Sequence, residues 1–161
     1  MDVTEIEIER PKKNRSVTES GKQRYHTLKM QLIIGQENKQ VICTEVGQGR
    51  QHDFQIYKNS RSPVLETVKL LADKGYQGIY HYHKNSSIPH KKPRNGQLTK
   101  EQKQQNRAQA RLRVRVENVI RCLKIFRILS SRYRNRRKRF GLRVNLLAGF
   151  YNYERQLSAL S

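Results

Sequence analysis

Apolar and polar positions alternate with a period of two in three stretches near the start of the chain, which marks them as strands. Asp2-Val-Thr-Glu-Ile-Glu-Ile8 interleaves β-branched and polar residues and is closed by Arg10-Pro11, because proline brings no N–H to a ladder. His26 to Ile34 and Gln40 to Val46 predict two more strands, with a turn from Gly35 to Lys39 between them. An antiparallel meander is the economical pairing. Between the first two strands, Lys12 to Tyr25 is a basic stretch containing Ser20-Gly21 and reads as turn or loop. Gly47 to Gly49 breaks the third strand. A short helix is then expected from His52 to about Asn59, with Asp53 as N-cap. After a loop from Ser60 to Pro63, Glu66 to Ala72 reads as a fourth strand that delivers Asp73-Lys-Gly-Tyr-Gln-Gly78.

The period changes to that of a helix in the second half. At about 100° per residue, Leu112, Val116, Val119, Ile120, Leu123 and Phe126 gather into one apolar arc, while Arg113, Glu117 and Lys124 fall within about 40° of one another beside it. The helix is expected from Thr99 or Lys103 to Leu129, with Thr99 as its cap. Ahead of it, residues 84 to 106 carry Pro89, Pro93, Gly96 and several cations, among them Lys91 and Lys92, as a basic loop suited to a phosphate backbone. Behind it, Arg132-Tyr-Arg-Asn-Arg-Arg-Lys-Arg139 is a dense cationic run. Its Tyr133 adds to a reading as phosphate contact over a merely solvated face. Gly141 breaks the pattern, and Arg143 to Leu157 predicts a terminal helix with Leu146, Leu147, Phe150 and Tyr153 on its apolar face.

Composition narrows the partners. The chain has 161 residues with 34 Lys and Arg against 13 Asp and Glu, a net charge of +21, and 35% hydrophobic content. That length suits one domain, and that charge repels itself unless a polyanion is near, so nucleic acid is the first partner to expect and an anionic membrane the second. No apolar run reaches the roughly 18 residues of a membrane span, and no export signal opens the chain, so a cytoplasmic location is expected. Cys43 and Cys122 stand far apart as free thiols. His52, His81, His83 and His90 have no ligand spacing and read as surface or DNA-contacting residues.

The chemistry concentrates where a strand is expected to end. Asp73 is in the position at which α/β sheets present functional groups, with glycines just behind it. Together with Asp2-Val-Thr-Glu5, Ile8-Glu-Arg-Pro-Lys12, Lys29 in its strand, Gly49-x-x-His52-Asp53-Phe54, Arg113-x-x-x-Glu117 and Tyr133 through Gly141 to Asn145-Leu-x-Ala-Gly-x-Tyr-Asn152, the chain resembles a DDE transposase of the bacterial insertion-sequence five family over essentially its whole length. The resemblance implies an α/β, ribonuclease H-like fold: a mixed sheet with the antiparallel meander plus parallel strands, flanked by helices. It places the catalytic and metal-binding triad on Asp2, Asp73 and Glu117. In the family's helix signature a Tyr, an Arg, the Glu and a Lys recur; here Arg113 and Lys124 hold the Arg and Lys places, and the Tyr place falls on Ala110.

What the resemblance implies chemically is metal-dependent cleavage and transfer of DNA strands. Carboxylate oxygens select Mg²⁺, with Mn²⁺ as substitute, and a two-metal site about 3.5 to 4 Å across stabilises attacking and leaving oxygens together. The implied partners are double-stranded DNA, as terminal inverted repeats and target, further copies of the chain, and an upstream transposase polypeptide. Arg113, Lys124, Arg132, Arg134, Arg136, Arg137, Lys138, Arg139, Lys91 and Lys92 are the expected DNA contacts. Each has a plainer reading: Glu117 as a partner in helical ion pairs with Arg113 and Arg121, Asp73 as a turn residue, Asp53 as a cap. Family members carry more chain before the first acid, so the expectation is one catalytic domain over residues 1 to 161, incomplete at its N-terminus. The downstream frame of a split or frameshifted element and a decayed remnant both fit that expectation, and the other function class is a noncatalytic basic DNA-binding remnant.

Overall fold

The structure, a computed structural model, describes residues 1–11, 18–20, 25–60, 62 and 64–160. The expected meander is present: β1 (Asp2–Glu7), β2 (Thr27–Ile34) and β3 (Val41–Gln48) pair antiparallel in that order, with Asp2 opposite Leu32 and Leu32 opposite Thr44. The basic stretch between the first two strands falls largely outside the described residues. Central β2 is buried at every position but its last, so polar Lys29 and Gln31 lie inside the molecule. The strand β3 continues through Gly47 instead of breaking there. A glycine is needed because a Cβ at that position would lie 2.5 Å from Ile56, itself 1% exposed.

The N-cap of helix α1 (Asp53–Asn59) is His52, not Asp53, one residue ahead of the expected cap. His52 Nδ1 accepts from the Phe54 N–H at 3.3 Å, because the Asp53 carboxylate is drawn to Lys29. The fourth strand is much shorter than its sequence suggests. Glu66 and Thr67 form a turn, and β4 is only Leu70–Leu71, paired in parallel with β5 (Ser86–Ser87) as a separate two-stranded sheet. The sheets meet where the Met1 amine donates to the Leu71 carbonyl at 2.8 Å. The architecture is thus mixed α/β, an antiparallel three-strand sheet and a parallel pair with helices on them.

Helix α2 (Lys100–Leu123) starts where expected, with Thr99 and Gln102 forming a reciprocal capping box. It ends before Leu129: the chain turns at Lys124, and a single helical turn, α3 (Arg127–Ser130), follows. No proline or glycine marks this stop. Tertiary packing explains it, since Leu123 and Leu129 enter the same core and the reversal returns Tyr133 to the first strand, its N–H donating to Glu7 O at 2.8 Å. Helix α4 (Phe140–Leu160) completes the order. Its buried side is Phe140, Val144, Ala148 and Tyr151, while Leu146, Phe150 and Tyr153 of the expected face are exposed and Leu147 is only partly buried. Both sides of this helix are apolar, so periodicity could not choose between them.

The three-strand sheet is covered on both faces. Leu28, Met30 and Leu32 pack with Val116, Val119 and Leu123 of α2 and with Phe140 and Val144 of α4; on the other face Ile33 packs with Tyr57, Leu70, Ala72, Tyr76 and Ile79. Two polar clamps fix the helices. Asn152 spans Val41, accepting from its N–H and donating to its carbonyl, both at 2.8 Å, which caps the edge strand β3. Arg115 donates to the Gln36 carbonyl at 2.6 Å and so ties α2 to the turn between β2 and β3. Gly49 is enclosed by backbone, as a Cβ there would lie 2.6 Å from the Thr18 carbonyl oxygen and 2.9 Å from that of Thr27. Backbone cannot rotate away as a side chain can, so Gly49→Ala is expected to lower unfolding free energy by about 1 to 3 kcal/mol in urea denaturation. An unchanged midpoint would contradict this packing.

Candidate active site

Three acids reach one place from three separate elements. Asp2 opens β1, and its carboxylate accepts from the Val3 N–H at 2.9 Å. Asp73 follows the end of β4 and caps the 3₁₀ turn Lys74–Tyr76, accepting from the Lys74 N–H at 2.6 Å. Glu117 lies on α2, one turn after Arg113. The Arg113 guanidinium stands among them: Nη1 is 2.9 Å from Asp73 Oδ1, and Nη2 is 3.6 Å from Asp2 Oδ2 and 3.9 Å from Glu117 Oε1. Only the first is hydrogen-bonded, and the other two are looser charge contacts. The side of the cluster toward Glu117 is open, that side chain being 55% exposed against 18% for Asp2.

Burial sets the electrostatics of the inner end. Desolvation raises the Asp2 carboxyl above its usual range, with Asp73 adding to the rise; the Val3 N–H, Arg113 and the terminal amine oppose it. Desolvation likewise pushes the Met1 amine down to about 6, Asp2 pulling the other way. Beneath lies Tyr76, 1% exposed, whose hydroxyl donates to Gln31 Oε1 at 3.0 Å. Its phenol is raised by burial first and then by Asp53, Asp2 and Asp73, so these acids lie around it.

Asp53 belongs to a second charge cluster. Lys29, 8% exposed, donates to Asp53 Oδ1 at 2.7 Å and to the Gln51 carbonyl at 2.9 Å, with Glu5 Oε1 at 3.9 Å directly across the strands. Thr27 donates to the other Glu5 oxygen at 3.0 Å. This cluster holds the start of α1 against the sheet beneath Tyr76. Strand alternation put Lys29 and Gln31 on one face, and only the knowledge that both faces are covered marks them as interior.

The expected DNA contacts fall in different places. Lys124 terminates α2 about 10 Å along the axis from Glu117, is lowered in pKa by burial, and has Glu5 as its charged neighbour. Arg132 pairs with Glu7 at 2.5 Å and Arg134 with Glu9 at 3.6 Å, so the start of the cationic run is docked on the first strand and the residues after it. Tyr133 is 3% exposed and packs edge-on to Phe140 at 4.8 Å, so it supports the fold and does not face a phosphate. Arg136, Arg137, Lys138 and Arg139 are exposed, the last three in a 3₁₀ turn. Lys91 and Lys92 are exposed on a loop that His90 anchors to α2 through Asn106 at 2.8 Å and Gln105 at 2.7 Å. A groove of about 700 Å³ with Lys69, His90, Lys91 and Gln109 on its walls runs to Leu112, next to Arg113. His83 corrects a further expectation: it is 3% exposed, with Nε2 2.7 Å from the Val68 carbonyl oxygen.

Residues 1–152 match the family described as DDE superfamily endonuclease. The chain belongs to that family. It is also 57% identical over 159 residues, 99% of its length, to a protein of Microchaete diplosiphon named a probable transposase for insertion sequence element IS702. It spans 58% of the length of that relative. No solved structure matches the chain. Asp2, Asp73 and Glu117 offer carboxylate oxygens alone, the donor type that suits a hard divalent ion. Among the described residues, however, no three Asp, Glu, His or Cys side chains stand close enough to hold an ion as they are. The three acids share the Arg113 guanidinium instead.

The Lys29 cluster gives a stability test. Lys29→Met leaves Asp53 and Glu5 without their cation and is expected to cost about 2 to 4 kcal/mol in urea denaturation, with part recovered in Lys29→Met/Asp53→Leu. A single-variant loss under about 1 kcal/mol would contradict a structural role for the pair.

Proposed function

We propose that this segment is the catalytic part of a transposase that cleaves DNA strands and transfers them by divalent-metal-dependent phosphoryl transfer, and that Asp2, Asp73 and Glu117 are its metal-holding acids. The observation that carries the reading is the meeting of these acids, from β1, the end of β4 and α2, within 4 Å of a single guanidinium. In a DDE endonuclease such a convergence has an evident use. The same convergence underlies the proposal of a ribonuclease H-like arrangement, in which the strand ends and a late helix supply the ligands. The name of the Microchaete diplosiphon relative points to an insertion sequence as the source of the DNA.

Bound there, Mg²⁺ or Mn²⁺ would neutralise nonbridging phosphate oxygens and activate the attacking hydroxyl. The chain's own residues do the rest. Asp2 is held by the Val3 N–H and Asp73 by the Lys74 N–H, so two of the three carboxylates are oriented by backbone before any ligand arrives. That pre-organisation is the form of positioning an enzyme needs, since backbone-held groups do not have to be ordered during the reaction. Glu117, more exposed, closes the open side. Arg113, among the three acids and bonded to Asp73, brings positive charge into the site. Lys91 on the groove wall and its exposed neighbour Lys92, with Arg136, Arg137, Lys138 and Arg139, supply the backbone contacts that fix register without reading sequence. Arg132 and Arg134 are paired with acids of the chain and would contact DNA only by leaving them, and Lys124 is half-buried at the end of α2.

The test is nicking and strand transfer on terminal inverted-repeat DNA with Mg²⁺ or Mn²⁺, with the polypeptide that completes the relative's length added in trans. Asp73→Asn and Glu117→Gln are each expected to lower the rate by at least about 10²-fold while leaving DNA binding intact. Activity that survives both changes would remove the assignment. Metal-independent binding with no cleavage under any of these conditions would favour the noncatalytic DNA-binding reading. In binding assays, Lys91→Ala/Lys92→Ala is expected to reduce the salt slope by about 2 while weakening all sequences alike. An unchanged slope would take those two residues off the DNA path.

A further inference from the structure

The Arg113 side chain is bonded in an unusual way for a residue so enclosed. It is 19% exposed, it faces three carboxylates, and it makes one good hydrogen bond, to Asp73. Its Nε is buried and has no acceptor at all. A guanidinium built to stay in place engages carboxylates as a fork, with two parallel bonds and its remaining N–H groups satisfied. Here three acids share the two terminal nitrogens of one group, and an internal donor is left unmet. Three carboxylates against one guanidinium also leave the cluster short of positive charge.

We propose that Arg113 is an exchangeable internal cation, which holds the three acids together when no metal is present and must give up its place for a divalent ion to bind. This rests on the reading of Asp2, Asp73 and Glu117 as the metal-holding acids and adds a competition to it. A divalent ion brings twice the charge and accepts oxygens from several directions at once, so it outcompetes a single planar donor where the acids can close around it. The guanidinium, released from Asp73, has an unbonded set of donors beside the open side of the site. Metal loading and the availability of this arginine to an anion are therefore linked. The exchange also explains how the acids converge without forming a ready ligand cage among the described residues.

The experiment is titration of the protein with Mn²⁺ in a calorimeter, without DNA, for wild type, Arg113→Met and Arg113→Lys, each checked for folding by circular dichroism. Arg113→Met is expected to bind Mn²⁺ about tenfold or more tightly than wild type, the scale set by removing one full charge from a partly solvated site. Arg113→Lys is expected between the two, because a lysine can satisfy Asp73 but not reach all three acids as a fork does. Thermal melts give a second readout: in chelator Arg113→Met should melt below wild type, and Mn²⁺ should raise its midpoint by more than it raises that of wild type. Equal or weaker Mn²⁺ affinity in Arg113→Met would overturn the competition while leaving the metal site standing, provided Asp73→Asn abolishes binding. If Arg113→Met does not fold, the side-chain Nε–H resonance of Arg113 in the wild type, assigned by its loss in Arg113→Lys, decides: Mg²⁺ should shift it with saturation, and an unmoved signal under saturating metal overturns the proposal. Failure of every form, wild type included, to bind a divalent ion would sink both the competition and the reading beneath it.

Discussion

Like charges brought close together are the constraint on which this structure turns. Asp2, Asp73 and Glu117 sit at the ends of a strand from each sheet and on the helix that crosses them, so the elements cannot pack without collecting three carboxylates. Arg113 makes that packing tolerable. It lies one helical turn from Glu117, which places the compensating charge on the same rigid element as one of the acids. The start of the chain contributes in turn: Met1, buried against the second sheet, donates to Leu71, and Asp2 is delivered next to the end of β4. A positively charged chain, +21 overall, thus gathers Asp2, Asp73 and Glu117 into a small acidic focus. Under the proposed function that polarity has a use, since a basic surface attracts a polyanion and the acidic focus would hold the metal.

A second pair of charges does the structural work underneath. Lys29 is on the central strand, where neither face meets water, and it reaches Asp53 at the start of α1. This explains the shift of the helix cap to His52: the acid that local capping rules would place at the cap is required elsewhere. Tyr76 and Gln31 continue the polar layer toward Asp73. The floor of the candidate site is therefore polar yet paired, which fixes the position of the short turn that carries Asp73 without opening the core to water.

The meander, the start of α2 at Thr99 and the apolar stripe Val116, Val119, Ile120 and Leu123 were legible from periodicity and caps, because local signals and tertiary packing agree there. Three features were not. The fourth strand shrank to Leu70–Leu71 because it pairs only with β5, a partner with no strand pattern in its Ser86-Ser87. The end of α2 at Leu123 is imposed by the core that Leu123 and Leu129 share, with no breaker residue in the sequence. The face that α4 buries was misread because residues such as Leu146 and Phe150 are as apolar as Val144 and Tyr151, and only the sheet decides between them. For the candidate site, the resemblance supplied Asp2, Asp73 and Glu117, and helical spacing put Arg113 beside Glu117. That the same arginine also faces Asp2 and Asp73 is a fact of the tertiary structure alone.

The most direct measurement is anomalous diffraction from crystals of the protein equilibrated with Mn²⁺. An anomalous peak bounded by the carboxylates of Asp2, Asp73 and Glu117, with the Arg113 guanidinium displaced from Asp73, is the expected result. Peaks confined to other surfaces, with Arg113 still bonded to Asp73 at saturating Mn²⁺, would contradict it.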